Sequence, residues 1–187
     1  RIYDEHREWA RRHADPLAGD IRPHENTRTT GRRLRIGYLS PNFREHPVAA
    51  FFEPALKHHD RERFSIVLYS DVTDPDGRTA RLRGYGDEWR DIAGLADATV
   101  AERIRSDGID ILVDLTGHTD GHRLLVFARK PAPVQVTWNG YANTTGLATM
   151  DFRITDRHAD PVGATDGWHS ERLVRLPDIY MAFDPPQ

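Results

Sequence analysis

The sequence lacks cysteine altogether and contains only two lysines, Lys57 and Lys130. The absence of cysteine excludes disulfides, thiolate metal sites and a cysteine nucleophile, and it fits a reducing compartment. A net charge of −3 gives no electrostatic support for coating nucleic acid. No stretch approaches the apolar length of a membrane span, and no signal-peptide pattern is present. We therefore expect a soluble, cytoplasmic protein.

The first part of the chain differs in composition from the rest. Residues 1–14 predict a short polar helix, and residues 15–33 carry prolines and glycines among polar residues, which is typical of a linker. The helix has few apolar residues to bury, so we expect it to rest on something else. We divide the chain into residues 1–32, a helix and linker continuing from a preceding helical region, and residues 33–187, one lobe.

Apolar strands alternate with helices from Arg33 onward. The nearly continuous apolar runs at 34–39 and 109–115 are typical of strands buried on both sides. This alternation predicts an α/β fold, a Rossmann-like and mostly parallel sheet with helices on both faces. Pro54 predicts a kink or a break in the helix at 47–59. Further strands are expected at 63–70, 134–138, 151–155 and 172–176, and further helices at 78–85, 98–107 and 122–129.

Three polar loops follow strands of the predicted sheet. Loop one is residues 40–47, loop two is residues 116–123 and loop three is residues 139–146, and together they are rich in Gly, Asn, Thr and His. Open α/β sheets bind ligands beyond the carboxyl ends of their strands. Hydroxyls, amides and exposed backbone can bind a sugar or a phosphate. We therefore predict a ligand crevice lined by these three loops.

His46 is the strongest candidate for a catalytic residue in loop one. It precedes Pro47 at the predicted start of a helix, on the ligand edge of the sheet. An imidazole can take a proton near neutral pH, so His46 could be a general base for an alcohol nucleophile. The alternative is a histidine that caps the helix and bonds locally, and position alone leaves both interpretations open.

His118 and His122 are spaced as two metal ligands on one helix face would be. Gly117 and Gly121 interrupt such a helix, and no glutamate follows the first histidine as a zincin motif requires. We predict no metal, and we expect His118 to face the crevice. Neither a P-loop nor a G-x-G-x-x-G motif is present, which weakens any prediction that this chain alone binds a nucleotide.

Three blocks of sequence resemble one family in order and spacing. The blocks are R-I-G-Y-L-S-P-N-F-R-E-H-P at 35–47, G-I-D-I-L-V-D-L-T-G-H-T at 108–119, and R-K-P-A-P-V-Q-V-T-W-N-G-Y-A-N-T-T-G at 129–146 with M-D-F-R-I-T-D at 150–156. They closely resemble the catalytic region of the protein O-linked N-acetylglucosamine (O-GlcNAc) transferases, glycosyltransferase family 41.

The resemblance implies the N-terminal half of a two-lobed GT-B glycosyltransferase, often preceded by tetratricopeptide (TPR) repeats. Such enzymes transfer N-acetylglucosamine from UDP-GlcNAc to Ser or Thr hydroxyls of proteins, with inversion and without a metal or other cofactor. The C-terminal lobe, with a diphosphate-binding lysine, would follow residue 187, so we expect this chain to be inactive without it. A related branch, similar to the plant SPINDLY proteins, uses GDP-fucose, and that donor stays open.

The resemblance also implies site residues. His46 matches a histidine proposed as the catalytic base of the family. Asn42 stands where the animal enzymes have aspartate, and Asn139 and Ala142 stand where leucine and proline are usual, beside the sugar pocket. The residues expected to bind donor or substrate are Asn42, Pro47, His118, Thr119, Gly140, Tyr141, Ala142, Thr144 and Thr145.

A hypothesis from another class is a non-catalytic α/β binding or scaffold module of a repeat protein. A phospho-receiver domain would need an acidic pair after the first strand, where the chain has Ser40-Pro41-Asn42. The enzyme hypothesis predicts a nucleotide sugar and an acceptor protein as partners, and neither nucleic acid nor a membrane.

Overall fold

Seven parallel strands form one sheet in a computed structural model that describes residues 1–184. The strand order is β3-β2-β1-β4-β5-β6-β7. The strands are β1 (Leu34–Ser40), β2 (Phe64–Ser70), β3 (Glu88–Asp91), β4 (Ile111–Asp114), β5 (Val134–Thr137), β6 (Phe152–Asp156) and β7 (Arg172–Leu176). The α-helices are α1 (Ile2–His13), α2 (Pro47–Lys57), α3 (Gly77–Arg83), α4 (Asp97–Ser106) and α5 (Leu124–Ala128). The predicted α/β class and parallel sheet are confirmed.

The strand order reverses direction beside β1. From β1 the chain builds outward through β2 and β3 on one side, and then returns to place β4 on the other side of β1. The loops after β1 and β4 therefore leave the sheet toward opposite faces. A crevice opens between them at such a topological switch point, and it is the usual ligand site of an open α/β sheet.

Both faces of the sheet are buried in apolar cores. Alternate residues of one strand enter different cores, so Tyr38 packs on the α2 side while Leu39 packs on the α4 and α5 side. Leu68 and Val67 divide in the same way on β2. This two-sided burial explains why the central strands are almost continuously apolar. It also fixes the register that carries all the loops to one edge.

Helix α1 and the turn after it pack against the sheet core instead of standing apart. Ala10 is fully buried in the core on the α4 and α5 side, with Ala14 beside it. Trp9 and Leu17 pack against the same core. A 3-10 helix spans Asp15–Asp20 within the segment that the sequence suggested as linker. The thin apolar face of α1 is enough because its small alanines permit a close approach.

The structure differs from the sequence expectations at two places. Helix α2 continues through Pro54 to Lys57, because Pro54 is buried in the core and packing offsets the lost backbone bond. Strand β3 was not predicted, since it is a short polar edge strand with the sequence Glu-Trp-Arg-Asp.

No helix in residues 1–184 is both long enough and apolar enough to cross a membrane.

Truncation of Phe52 to alanine tests the packing that holds α2, and with it His46, on the sheet. Phe52 is fully buried against the rings of Tyr38 and Phe43. We expect Phe52→Ala to lower the free energy of unfolding by about 3–5 kcal/mol, through lost burial and the cavity left behind. The neighbouring Phe51→Ala, at a half-buried position, should cost less than half as much. Equal losses in urea titrations would show that α2 packs by another face.

Candidate active site

Loops one, two and three lie at the same edge of the sheet, as predicted. They leave the carboxyl ends of β1, β4 and β5, which are adjacent strands in the sheet. Loops two and three approach at main-chain level, since a Cβ on Gly140 would lie only 2.5 Å from the backbone nitrogen of Thr116. Loop three also reaches α2, where Asn139 Nδ2 donates to the Val48 carbonyl oxygen at 3.1 Å. The three loops therefore form one continuous rim.

Asp114, at the end of β4, is the fixed point of loop two. Its carboxylate is completely buried and accepts hydrogen bonds from the backbone N–H groups of Thr116 and Gly117, at 3.0 and 2.9 Å. It also accepts from the Thr137 hydroxyl of β5 at 2.8 Å. Burial raises the pKa of Asp114 to about 6, while these three donors oppose that shift. One carboxylate thus sets both the turn after β4 and its pairing with β5.

Glu171, just before β7, plays the same part for loop three. This side chain is buried and accepts from the Thr144 hydroxyl at 2.7 Å, from the Thr145 N–H at 2.6 Å and from the Thr145 hydroxyl. Both threonine side chains are fully buried. Their hydroxyls are committed to a carboxylate in this structure, and a direct contact of Thr144 and Thr145 with the donor stays a prediction. They hold loop three from behind.

Arg153 of β6 supports loop three through its backbone. The guanidinium is buried, and its Nη1 donates to the carbonyl oxygens of Tyr141 and Asn143 at 2.8 and 2.9 Å. These two hydrogen bonds hold the backbone of loop three against β6. The sequence block M-D-F-R-I-T-D contains this arginine, but nothing in the sequence shows where its side chain points.

His46 caps helix α2. Its Nδ1 accepts a hydrogen bond from the Val48 N–H at 3.2 Å, and its backbone is extended, as an N-cap requires. The ring is half-buried, and both this burial and the nearby Arg44 lower the pKa of His46, so the ring is neutral near pH 7. Since Nδ1 holds the lone pair that Val48 uses, the hydrogen of the neutral ring lies on Nε2. His46 then presents a donor, which conflicts with the general-base hypothesis.

His118 has the same tautomer, but the protein uses its other ring nitrogen. Its Nε2 lies 2.7 Å from the carbonyl oxygen of Thr145, and a carbonyl can only accept, so Nε2 carries the hydrogen. Burial lowers the pKa of His118 to about 4, helped by His6 and His122 and opposed by the bond to Thr145. The neutral ring therefore keeps a lone pair on Nδ1. The two loop histidines thus offer one donor and one acceptor.

Comparison with known proteins identifies the family of this chain. The family model described as Glycosyl transferase family 41 matches residues 19–187. The chain belongs to glycosyl transferase family 41. It is similar to the probable UDP-N-acetylglucosamine–peptide N-acetylglucosaminyltransferase SPINDLY of Oryza sativa subsp. japonica, with 44% identity over 99% of this chain and 20% of the relative. It is also similar to the UDP-N-acetylglucosamine–peptide N-acetylglucosaminyltransferase of Caenorhabditis elegans, with 35% identity over 84% of this chain and 14% of the relative.

A solved structure supports the same assignment. A mutant O-GlcNAc transferase of Thermobaculum terrenum superposes with a TM-score of 0.92 and 47% identity, and the match covers 98% of this chain and 35% of that chain. The resemblance seen in the three sequence blocks is therefore confirmed, and so is the fold as the O-GlcNAc transferase GT-B lobe. The chain spans about a fifth of the curated SPINDLY relatives that it matches.

The remaining predicted residues of this family 41 site differ in their access to the crevice. Pro47 and Ala142 are exposed, and His46, His118, Thr119, Gly140 and Tyr141 are partly exposed, so these seven side chains or backbones can meet a ligand. The Thr119 hydroxyl donates to the Thr116 carbonyl oxygen at 2.8 Å. Asn42 is buried, and its backbone N–H donates to Ser40 Oγ. A ligand contact by the Asn42 side chain stays a prediction.

The layer behind the loops, namely Asp114, Glu171 and Arg153, was not predicted from the sequence. One signal for Asp114 was present, since an acid that ends an apolar strand must find hydrogen-bond donors. Glu171 and Arg153 gave none, because their partners lie 26 and 10 to 12 residues away. Across the described residues, no three His, Cys, Asp or Glu side chains are grouped so that they could hold a metal ion.

Removal of the Asp114 carboxylate should destabilise the protein strongly. Asp114→Ala leaves three buried donors without an acceptor, and we expect the free energy of unfolding to fall by about 2–4 kcal/mol. Asp114→Asn keeps one acceptor oxygen and should cost less than alanine. Thr137→Val removes only one donor and is the matched control, with an expected cost of about 1 kcal/mol. Chemical denaturation that ranked Thr137→Val above Asp114→Ala would contradict the assigned role.

The lowered pKa of His118 predicts a dependence of stability on pH. The unfolded ring titrates near about 6.5 and the folded ring near about 4, so the unfolded state binds more protons in between. Stability that the neutral ring contributes is therefore present above about pH 6.5 and lost as the pH falls toward 4. His118→Gln, which keeps a donor for Thr145, should flatten the fall in unfolding free energy between pH 7 and 5. His58→Gln, at an exposed position, should leave that fall unchanged.

Proposed function

We propose that this chain is the N-terminal lobe of an inverting, metal-independent glycosyltransferase that transfers N-acetylglucosamine from UDP-GlcNAc to Ser or Thr hydroxyls of proteins. The observation that carries the proposal is the interlocked rim of loops one, two and three at the switch point of a family 41 fold. Curated relatives that resemble this chain are named UDP-N-acetylglucosamine–peptide N-acetylglucosaminyltransferases, which supports both the donor and the class of acceptor.

In the proposed reaction an acceptor hydroxyl oxygen bonds to the anomeric carbon as the bond from that carbon to the diphosphate breaks. UDP departs with the electron pair of the broken bond, and the hydroxyl proton passes to water or to a phosphate oxygen of the departing UDP. The rim contributes positioning, since acceptor and sugar have to be held in line. His46 contributes the Nε2–H of a neutral imidazole. This group can donate a hydrogen bond to an oxygen of the nucleotide sugar that gains negative charge during the reaction.

The proposal includes parts of the protein outside residues 1–187. A C-terminal lobe would bind most of the nucleotide and the diphosphate, and TPR repeats would precede the lobe described here. The fraction of relatives that the chain covers supports a longer parent protein. We expect the lobe alone to be inactive and to bind UDP weakly, and the lack of cysteine supports a cytoplasmic location.

GDP-fucose is the second donor to be tested. Asn139 and Ala142 lie on loop three at the rim, and both depart from the residues usual in the N-acetylglucosamine enzymes that the sequence resembles. The full-length protein should be assayed with labelled UDP-GlcNAc and with labelled GDP-fucose on the same acceptor. Turnover with UDP-GlcNAc supports the proposal, and turnover with GDP-fucose alone replaces the sugar but keeps the reaction class. Turnover with neither favours a scaffold.

A pair of substitutions at His46 separates a hydrogen-bond donor from a general base. In the full-length protein we expect His46→Ala to lower kcat/KM by about 10–100-fold, the value of one hydrogen bond to a charged group. His46→Gln places an amide N–H near the Nε2 position and should recover most of that loss. A base cannot be replaced by an amide. Losses of about 10³-fold or more in both variants would therefore restore the base hypothesis.

A further inference from the structure

The backbone of helix α1 packs directly against the backbone of loop three. A Cβ on Gly146 would lie 2.6 Å from the carbonyl carbon and oxygen of His6, so only glycine allows the two backbones to approach this closely. Arg7 adds a hydrogen bond from its Nη1 to the Gly146 carbonyl oxygen. The family match begins at residue 19, and α1 lies before it. A segment outside the matched region is thus docked on a loop of the candidate site.

Side chains of α1 also cover loop two. The His6 ring centroid lies 4.1 Å from that of His118 and 5.5 Å from that of Tyr141. Trp9 stands edge-on to His118 at 5.0 Å and to His122 at 5.5 Å. His118 belongs to loop two and Tyr141 to loop three, so one residue of α1 contacts both loops. The helix therefore sets the position of these loops relative to each other.

One hydrogen bond and two ring contacts hold the His118 ring. Its Nε2–H is bonded to the Thr145 carbonyl oxygen, and His6 and Trp9 pack against the ring. Nδ1 makes no hydrogen bond within residues 1–184 and is not among the fully enclosed atoms that lack a partner. This nitrogen is thus an acceptor that the protein itself leaves unused.

We propose that α1 takes part in sugar binding through His6. His6 is a positioning residue that holds the ring of His118. The Nδ1 atom of His118 then accepts a hydrogen bond from a hydroxyl of the bound donor sugar. The inference rests on the proposed function, and it adds a residue that lies outside the family match. His6 makes its one side-chain hydrogen bond within the described residues to Ile2 of its own helix, so its action on the loops is through ring packing.

The test compares four single variants of the full-length protein in their affinity for UDP-GlcNAc, measured by calorimetry, and in their KM and kcat. We expect His6→Ala to raise Kd and donor KM by about tenfold, the equivalent of one hydrogen bond, with kcat changed less than threefold. His6→Phe keeps a flat ring and should restore affinity. His13→Ala, at an exposed position of the same helix, is the matched control. His118→Gln keeps the bond to Thr145 but lacks the Nδ1 acceptor, and should match His6→Ala.

A double-mutant cycle distinguishes positioning from a structural role. If His6 acts through His118, adding His6→Ala to His118→Gln should raise Kd less than twofold further. Multiplying effects, or a loss in His6→Ala that phenylalanine does not restore, would overturn the inference while wild-type turnover leaves the proposed function standing. If the wild-type protein neither binds UDP-GlcNAc nor turns it over, but does so with GDP-fucose, the cycle is measured with that donor. If it binds neither, the proposed function and this inference both fall.

Discussion

A single buried carboxylate, that of Asp114, is the constraint on which the site depends. A carboxylate that is shielded from water must accept hydrogen bonds from the protein. Here the donors are two consecutive backbone N–H groups of loop two and a hydroxyl of the neighbouring strand. The direction in which the chain leaves β4 is therefore determined by the solvation of one anion. Because β4 borders the switch point, the same interaction determines the shape of the crevice wall.

The loops of this site are shaped from behind, and the surface that faces the crevice is correspondingly uncommitted. Glu171 uses the hydroxyls of loop three, and Arg153 uses two of its carbonyls. What remains accessible includes the imidazoles of His46 and His118, the backbone of Gly140 and the Tyr141 ring. Such a rim can bind a neutral sugar through hydrogen bonds and stacking. The stability cost of burying two acids and an arginine is offset by the hydrogen bonds that each makes to the loops.

The sequence predicted the layout of the site but not its chemistry in detail. Apolar runs at 34–39 and 109–115 identified central parallel strands, and the edge rule then placed loops one, two and three together without any knowledge of contacts. The role of Thr144 and Thr145 was missed because their partner Glu171 lies 26 to 27 residues ahead, beyond any local pattern. The tautomer of His46 could not be predicted either, since it depends on a single backbone N–H at Val48.

The charge distribution at the rim explains why this lobe would provide half of a transferase site. Lys130 is bound to Asp151, and Lys57 lies between Glu53 and Asp184 at the far end of α2. In loop two, Arg123 is bound by Asp71 and Asp97. A sugar diphosphate at the rim would therefore meet two neutral imidazoles and the exposed Arg44 of loop one. Two negative charges on a leaving group need more neutralisation than this, so the proposed enzyme must bring its phosphate-binding cations from another part of the protein.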